Sequence, residues 1–239
     1  MQKNVEKMSI IYSPNFDTKK RSSLNIKYLI FHYTGMTSEN AAIRRLTNKS
    51  SKVSCHYLIK KNGEIIKIVP DLYIAWHAGI SSWKKDKFLN SNSIGIEICN
   101  PGHAYKYKNF TQKQITSIIN LSKNLKKKYK IKKENILGHS DIAPLRKKDP
   151  GEKFPWKLLN KKKISLWHNL SEKNCKKLRG IKLNNSDNFF QLLFKFGYKS
   201  TDDNKEKIKI YKNFQRRFRP QLISSIVDQE TYEILKSLV

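Results

Sequence analysis

The sequence predicts an α/β protein: a mixed central β-sheet flanked by helices, followed by a small C-terminal domain of three helices. Three observations predict it. Leu24–Phe31 and Ile94–Cys99 are rich in β-branched and aromatic residues and nearly continuously apolar, as strands covered on both faces must be. Asn62-Gly63 between the runs Val53–Ile59 and Ile65–Val69 signals an antiparallel hairpin, so the sheet is mixed. Two capped helical patterns, from Ser38 and from Thr111, fall between strand runs and supply the covering layer.

Taken in order, residues 1–23 read as a polar N-terminal extension with one short apolar patch, Met8–Tyr12. The strand Leu24–Phe31 ends at His32-Tyr33-Thr34-Gly35. Ser38 then caps a helix to about Asn48, with Glu39 in its first turn and Ala41, Ala42, Ile43 and Leu46 as the inner face. In the hairpin, Asn62 and Gly63 both tolerate the positive φ of a primed turn. Ala75-Trp76-His77-Ala78-Gly79 follows, then a polar loop to about Asn92. The strand Ile94–Cys99 is apolar except for Glu97. Thr111 with Gln114 three residues on forms a capping box, and Ile115, Ile118, Leu121 and Leu125 share one helix face as far as about Lys130. Glu134–Leu137 is a short strand that delivers His139 to its end. Pro144 and Pro150-Gly151 make the stretch 138–151 a shaped loop, neither helix nor strand. The organisation expected is a catalytic domain over 24–168, a lysine-rich linker over 169–186, and a helical domain over 187–239 with helices Phe189–Phe196, Lys205–Phe218 and Asp228–Leu238.

Composition narrows the function classes. The chain has 239 residues, enough for a real core, and a formal charge of +30. Of its 49 basic residues 41 are lysine, spread along the whole chain. Such a surface attracts polyanions, whether nucleic acid, anionic lipid or acidic cell-wall polymer. The even spread and the lack of a nuclease motif argue against a specific nucleic-acid site. Cys55, Cys99 and Cys175 are widely spaced with no C-x-x-C pair, which excludes a disulfide scaffold and a cysteine-rich zinc knuckle. No stretch is long and apolar enough to span a membrane, and no secretory leader is evident, so the expected location is cytoplasmic. The tail domain points the other way, to the periplasm or cell envelope.

His32, Glu97 and His139 all fall at the ends of, or inside, expected central strands. With Asp149, ten residues beyond His139, they form a two-histidine, one-aspartate zinc set plus one spare carboxylate. Three protein ligands leave one position for water, which describes a catalytic ion. Glu97, isolated on an apolar strand, is suited to moving a proton, and Lys147 or Lys148 to stabilising an oxyanion. Together these parts describe amide hydrolysis.

Five stretches follow one family's motif order: Phe31-His32-Tyr33-Thr34, Val53-Ser54-Cys55-His56-Tyr57, Ala75 to Gly79, Ser93-Ile94-Gly95-Ile96-Glu97, and Gly138-His139-Ser140-Asp141 through Gly151. Residues 24–168 resemble the zinc-dependent N-acetylmuramoyl-L-alanine amidases of the type 2 family, related to peptidoglycan recognition proteins. Residues 211–220 and 228–231 resemble a peptidoglycan-binding three-helix domain, as in the two-domain branch of that family. The resemblance implies one zinc ion on His32, His139 and Asp149, a catalytic Glu97, and Lys147 rather than Lys148 at the oxyanion. It implies cleavage of the amide between the lactyl group of N-acetylmuramic acid and L-alanine in peptidoglycan or its muropeptide fragments, by a protein expected as a monomer. Trp76, His77, Tyr33, Asn100 and Arg146 are the candidate substrate contacts. His56 is expected to pack in the core, His103 and His168 to be ordinary surface or linker residues, and Arg216, Arg217 and Arg219 to serve a solvated helix face or structural ion pairs. The rival reading is a non-catalytic binding module on the same fold, which would be expected to lack a zinc ligand.

Overall fold

The computed structural model describes residues 8–239; residues 1–7 of the expected N-terminal extension lie outside the described residues. In chain order the elements are β1 (Ser9–Ile10), β2 (Phe16–Asp17), β3 (Tyr28–Tyr33), α1 (Glu39–Thr47), β4 (Tyr57–Ile59), β5 (Ile65–Lys67), β6 (Ile74–Ala75), β7 (Ser82–Trp83), β8 (Asp86–Lys87), β9 (Ser93–Ile98), α2 (Gln112–Lys128), β10 (Ile136–Gly138), α3 (His139–Ile142), α4 (Trp156–Lys161), α5 (Glu172–Leu178), α6 (Asp187–Phe196), α7 (Asn204–Phe218) and α8 (Gln229–Lys236). Six strands form the main sheet in the order β1-β5-β4-β9-β3-β10. Only β4 and β5 pair antiparallel; the other neighbours are parallel. The fold class read from the sequence holds.

The two-residue alternation of a strand explains why β3 is apolar on both faces up to His32, whereas the isoleucines of β9 share one face and leave Glu97 on the other. Leu29 and Phe31 of β3, with Ile94, Ile96 and Ile98 of β9, enter one core, closed by Ile118, Leu121 and Leu125 of α2. Tyr28 and Ile30 enter the opposite core, where Phe189, Leu193, Phe214 and Phe218 of the tail helices close it. The tail thus covers the second face of the sheet. A third cluster lies beneath α1, around Leu46, Leu58 and Ile68. Ser38 caps α1, and Thr111 with Gln114 forms the capping box of α2, as the sequence predicts.

Four local expectations are corrected. Residues 8–23 are not a bare extension: β1 pairs with β5 at the sheet edge and β2 pairs with β6. Two-residue strands carry no readable period, so the sequence did not announce them. In the hairpin only Gly63 has positive φ, at 86°, while Asn62 accepts the Glu64 N–H through its side chain; it is not a primed two-residue turn. The 138–151 loop opens with a helical turn, α3, before Pro144 stops it. The linker segment 169–186 contains α5, capped by Ser171, and its Lys182 bridges to Asp228. No helix among the described residues is long and apolar enough to cross a membrane.

Candidate active site

Three adjacent strands deliver the site. His32 of β3 and Glu97 of β9 are register partners, so they stand side by side on one face. On the other side of β3, β10 ends at Gly138, which places His139 at the same end of the sheet. The chain from His139 closes on itself where the Ser140 N–H donates to the Asp149 carbonyl at 2.8 Å, and that closure brings the Asp149 side chain over the two histidines. His32 Nδ1, His139 Nδ1 and Asp149 Oδ2 lie 2.9–3.1 Å apart, all buried.

The hydrogen bonds behind these atoms fix where the protons are. The Ser93 hydroxyl donates to the Leu89 carbonyl, so its oxygen accepts from His77 Nε2–H at 3.1 Å. His77 Nδ1 is therefore a lone pair and accepts from His32 Nε2–H at 3.0 Å. His139 Nε2 faces the Ala78 carbonyl at 3.1 Å and must donate to it. Both Nδ1 atoms consequently carry lone pairs, and both point at a carboxylate oxygen. Three electron-rich atoms at this spacing repel one another unless a cation lies between them. Their separations are slightly tighter than the about 3.3–3.6 Å that a tetrahedral ion with ligand distances of about 2.0–2.2 Å would set. The donor set therefore fits a divalent cation of the zinc type.

Electrostatics agree. Burial and the neighbouring His139 lower the His32 imidazole to about 4, against the pull of Asp149. His77 is pushed well below its ordinary value, by burial first and then by the surrounding histidines. Burial opposes ionisation of Asp149, but His139 and His32 outweigh it and hold the carboxyl well below the usual range. Neutral imidazoles and an ionised carboxylate are the ligand forms a metal requires. Glu97 behaves oppositely: burial, reinforced by the Asp149 charge and opposed by Lys147, pushes it up to about 8. Its Oε2 has no hydrogen-bond partner. A cation in the triad would draw that value back down.

These groups border a groove of about 830 Å³ whose wall and floor include Trp76, Glu97, His103, Arg45 and Lys147. Trp76 stands in the wall, its indole N–H donating to Asp17 at 2.7 Å. Tyr33 also borders the groove, and its hydroxyl meets His103 Nδ1 at 2.9 Å. His77 borders the groove, but both its ring nitrogens are committed to His32 and Ser93. Arg146 borders it too, and its guanidinium donates to the Ala78 and Ile80 carbonyls. Asn100 is not in the groove: it is buried, and its amide is spent on the Lys108 carbonyl and the Gly102 N–H. Lys147 faces the site closely enough to bias both His32 and Glu97; Lys148 lines the groove further out, exposed.

Two residues escaped the sequence reading. His103 is part of the groove, stacked on Tyr107 with ring centroids 4.5 Å apart and bonded to Glu152 at 3.0 Å. Ser93 anchors the histidine chain. His56 packs as expected, accepting the Gly95 N–H. Arg217 and Arg219 form buried ion pairs with Asp141 and Asp228 rather than a solvated face.

Gly95 shows how closely the support of His32 is built. A Cβ there would overlap the His77 ring. Gly95→Ala is expected to displace His77, release His32 Nε2 and weaken zinc binding by about 10–100-fold, as loss of an outer partner does. Titration against a chromogenic chelator measures this.

In chemical terms this arrangement fits a metal-assisted hydrolase, with imidazole and carboxylate donors beside a carboxyl of raised pKa in an open groove. Comparison with known proteins makes the class specific. Residues 22–152 match the N-acetylmuramoyl-L-alanine amidase family, and the chain belongs to that family. It is 36% identical to the N-acetylmuramoyl-L-alanine amidase AmiD of Escherichia coli K12, over 93% of this chain and 87% of that protein. The structure matches E. coli AmiD in complex with anhydro-N-acetylmuramic acid-L-Ala-D-γ-Glu-L-Lys with a TM-score of 0.81, covering 90% of this chain and 88% of the other. AmpDh3 of Pseudomonas aeruginosa matches with a TM-score of 0.80 at 30% identity, covering 92% of each chain. The 1,6-anhydro-N-acetylmuramyl-L-alanine amidase AmpD of Haemophilus influenzae is 34% identical over 61% of this chain and 86% of its own length. The chain is an enzyme, an amidase of this family.

Proposed function

We propose that the chain holds one zinc ion on His32 Nδ1, His139 Nδ1 and Asp149 Oδ2 and hydrolyses the amide between the lactyl group of N-acetylmuramic acid and L-alanine in muropeptides. The observation that carries this reading is the convergence of two imidazole lone pairs, whose rings carry their protons on Nε2, with an ionised carboxylate oxygen. Bound there, zinc supplies an acidified water and polarisation of the carbonyl. Glu97 accepts the proton of the attacking water as oxygen adds to the lactyl carbonyl carbon. It then returns that proton to the L-alanine nitrogen as the C–N bond breaks. The Lys147 ammonium stabilises the charge that develops on the carbonyl oxygen. Trp76, Tyr33 and His103 offer faces and polar edges for the sugar and the first peptide residues. Arg45, Arg146, Lys147 and Lys148 border the groove, and this positive rim suits the carboxylates of a stem peptide.

The anhydromuramyl peptides bound in the AmiD complex and in an AmpDh3 complex support muropeptides with an anhydro sugar as substrates. Elemental analysis of the purified protein tests the metal reading. One zinc per chain, removed by chelator with loss of activity and restored by zinc, is expected. Full activity in a metal-free preparation would overturn it.

A further inference from the structure

We propose that the tail helix α7 is a clamp on the loop that carries Lys147 and Asp149, with Asn213 and Arg217 as positioning residues. The inference rests on the roles given above to that loop. Asn213 is 2% exposed and sends its amide Nδ2 to two loop carbonyls, Pro144 at 2.7 Å and Lys147 at 3.1 Å. Its Oδ1 accepts from Arg216 Nη1 at 2.7 Å, which fixes the amide's orientation. The two carbonyls bracket Leu145 and Arg146, so one side chain sets the path of the chain into Lys147 and, two residues on, into Asp149.

One turn further along α7, Arg217 donates to Asp141 at 2.6 Å and to the Ile136 carbonyl at 3.0 Å, with its guanidinium 4.4 Å from the Trp156 ring centroid. Asp141 also accepts from the Tyr198 hydroxyl at 2.6 Å and from the Gly138 N–H at 2.7 Å. Tail residues therefore bond the chain on both sides of α3, the turn that opens with His139, at the Ile136 and Pro144 carbonyls, and bond Asp141 within it. Burying an arginine–aspartate pair gains little stability over an apolar contact of similar size. Sheet and tail already share a large aromatic cluster that would dock them without polar contacts. What the polar groups add is direction at the loop: the carbonyls and the carboxylate they hold are those of the site-bearing segment.

The test compares full-length, zinc-loaded variants. Asn213→Ala removes both donors, and Asn213→Asp keeps the shape but cannot donate. Arg217→Lys keeps the charge opposite Asp141. Tyr211→Phe is the control: its hydroxyl bonds to the Ile226 carbonyl, Thr231 and the Asp228 N–H, all inside the tail, so no hydrogen bond to the loop is lost. The expected result is that both Asn213 variants lower kcat on the order of tenfold, at unchanged KM, as small misplacements of reacting groups do. They also weaken zinc binding about tenfold in chelator competition. Arg217→Lys retains most of both properties, and Tyr211→Phe lowers the melting temperature while leaving kcat and zinc affinity alone. If the Asn213 variants lose thermal stability only, or if Tyr211→Phe lowers kcat in step with its stability, the clamp is overturned. Should wild type release no stem peptide, the functional reading fails, and the zinc-affinity comparison still decides the clamp.

Discussion

Glu97→Gln is expected to lower kcat on muropeptides by about 10²–10⁴-fold while zinc stays bound at one per chain. The substitution keeps the volume of the side chain and removes its ability to take and return a proton. Glu97 is not a ligand in the His32, His139 and Asp149 set, so metal content is insulated from the change. Stability should be nearly unaffected, because burial already drives this carboxyl toward its neutral form, which Gln resembles. In wild type the base must be ionised, so kcat/KM should fall as pH drops through the Glu97 pKa in the zinc-loaded enzyme. Residual activity within tenfold of wild type would remove Glu97 from the proton path.

Asp149→Ala is expected to abolish zinc binding at micromolar metal and with it all amidase activity. Losing a direct ligand costs more than the about 10–100-fold that follows loss of an outer partner. The loop itself should survive, since its closure uses the Asp149 backbone carbonyl and not the side chain. Thermal melting separates the two effects. A ligand at about 100 times its Kd stabilises the native state by about 2.7 kcal/mol, so zinc should raise the melting temperature of wild type and leave that of the variant where it is. Equal zinc-induced shifts in both proteins would place the ion elsewhere.

Much of this site was legible in the sequence because each proposed ligand sits beside a strong local signal. His32 and Glu97 are polar residues at the end of, or inside, apolar strands, and His139 follows a short strand into a proline-stiffened loop. What could not be read was anything that depends on how distant segments meet. His77 looked like a substrate contact, since nothing local says that its ring lies behind His32 in space that only glycine at position 95 leaves open. Asn100 was a candidate substrate contact, yet its amide turns inward to shape the next loop. His103 looked incidental until Tyr33, Tyr107 and Glu152 were placed around it. The tail helices were readable to within a residue or two from their period, whereas the pairing of Arg217 with Asp141 spans 76 positions and leaves no mark in either segment.

The most direct test is mass spectrometry of purified muropeptides, with anhydro and reducing sugar ends in parallel, incubated with the zinc-loaded enzyme. The predicted products are a free stem peptide beginning at L-alanine and a peptide-free sugar bearing the lactyl carboxylate, with release stopped by chelator and restored by zinc. Intact muropeptides after exhaustive incubation, or cleavage within the peptide instead of at the lactyl amide, would contradict the account.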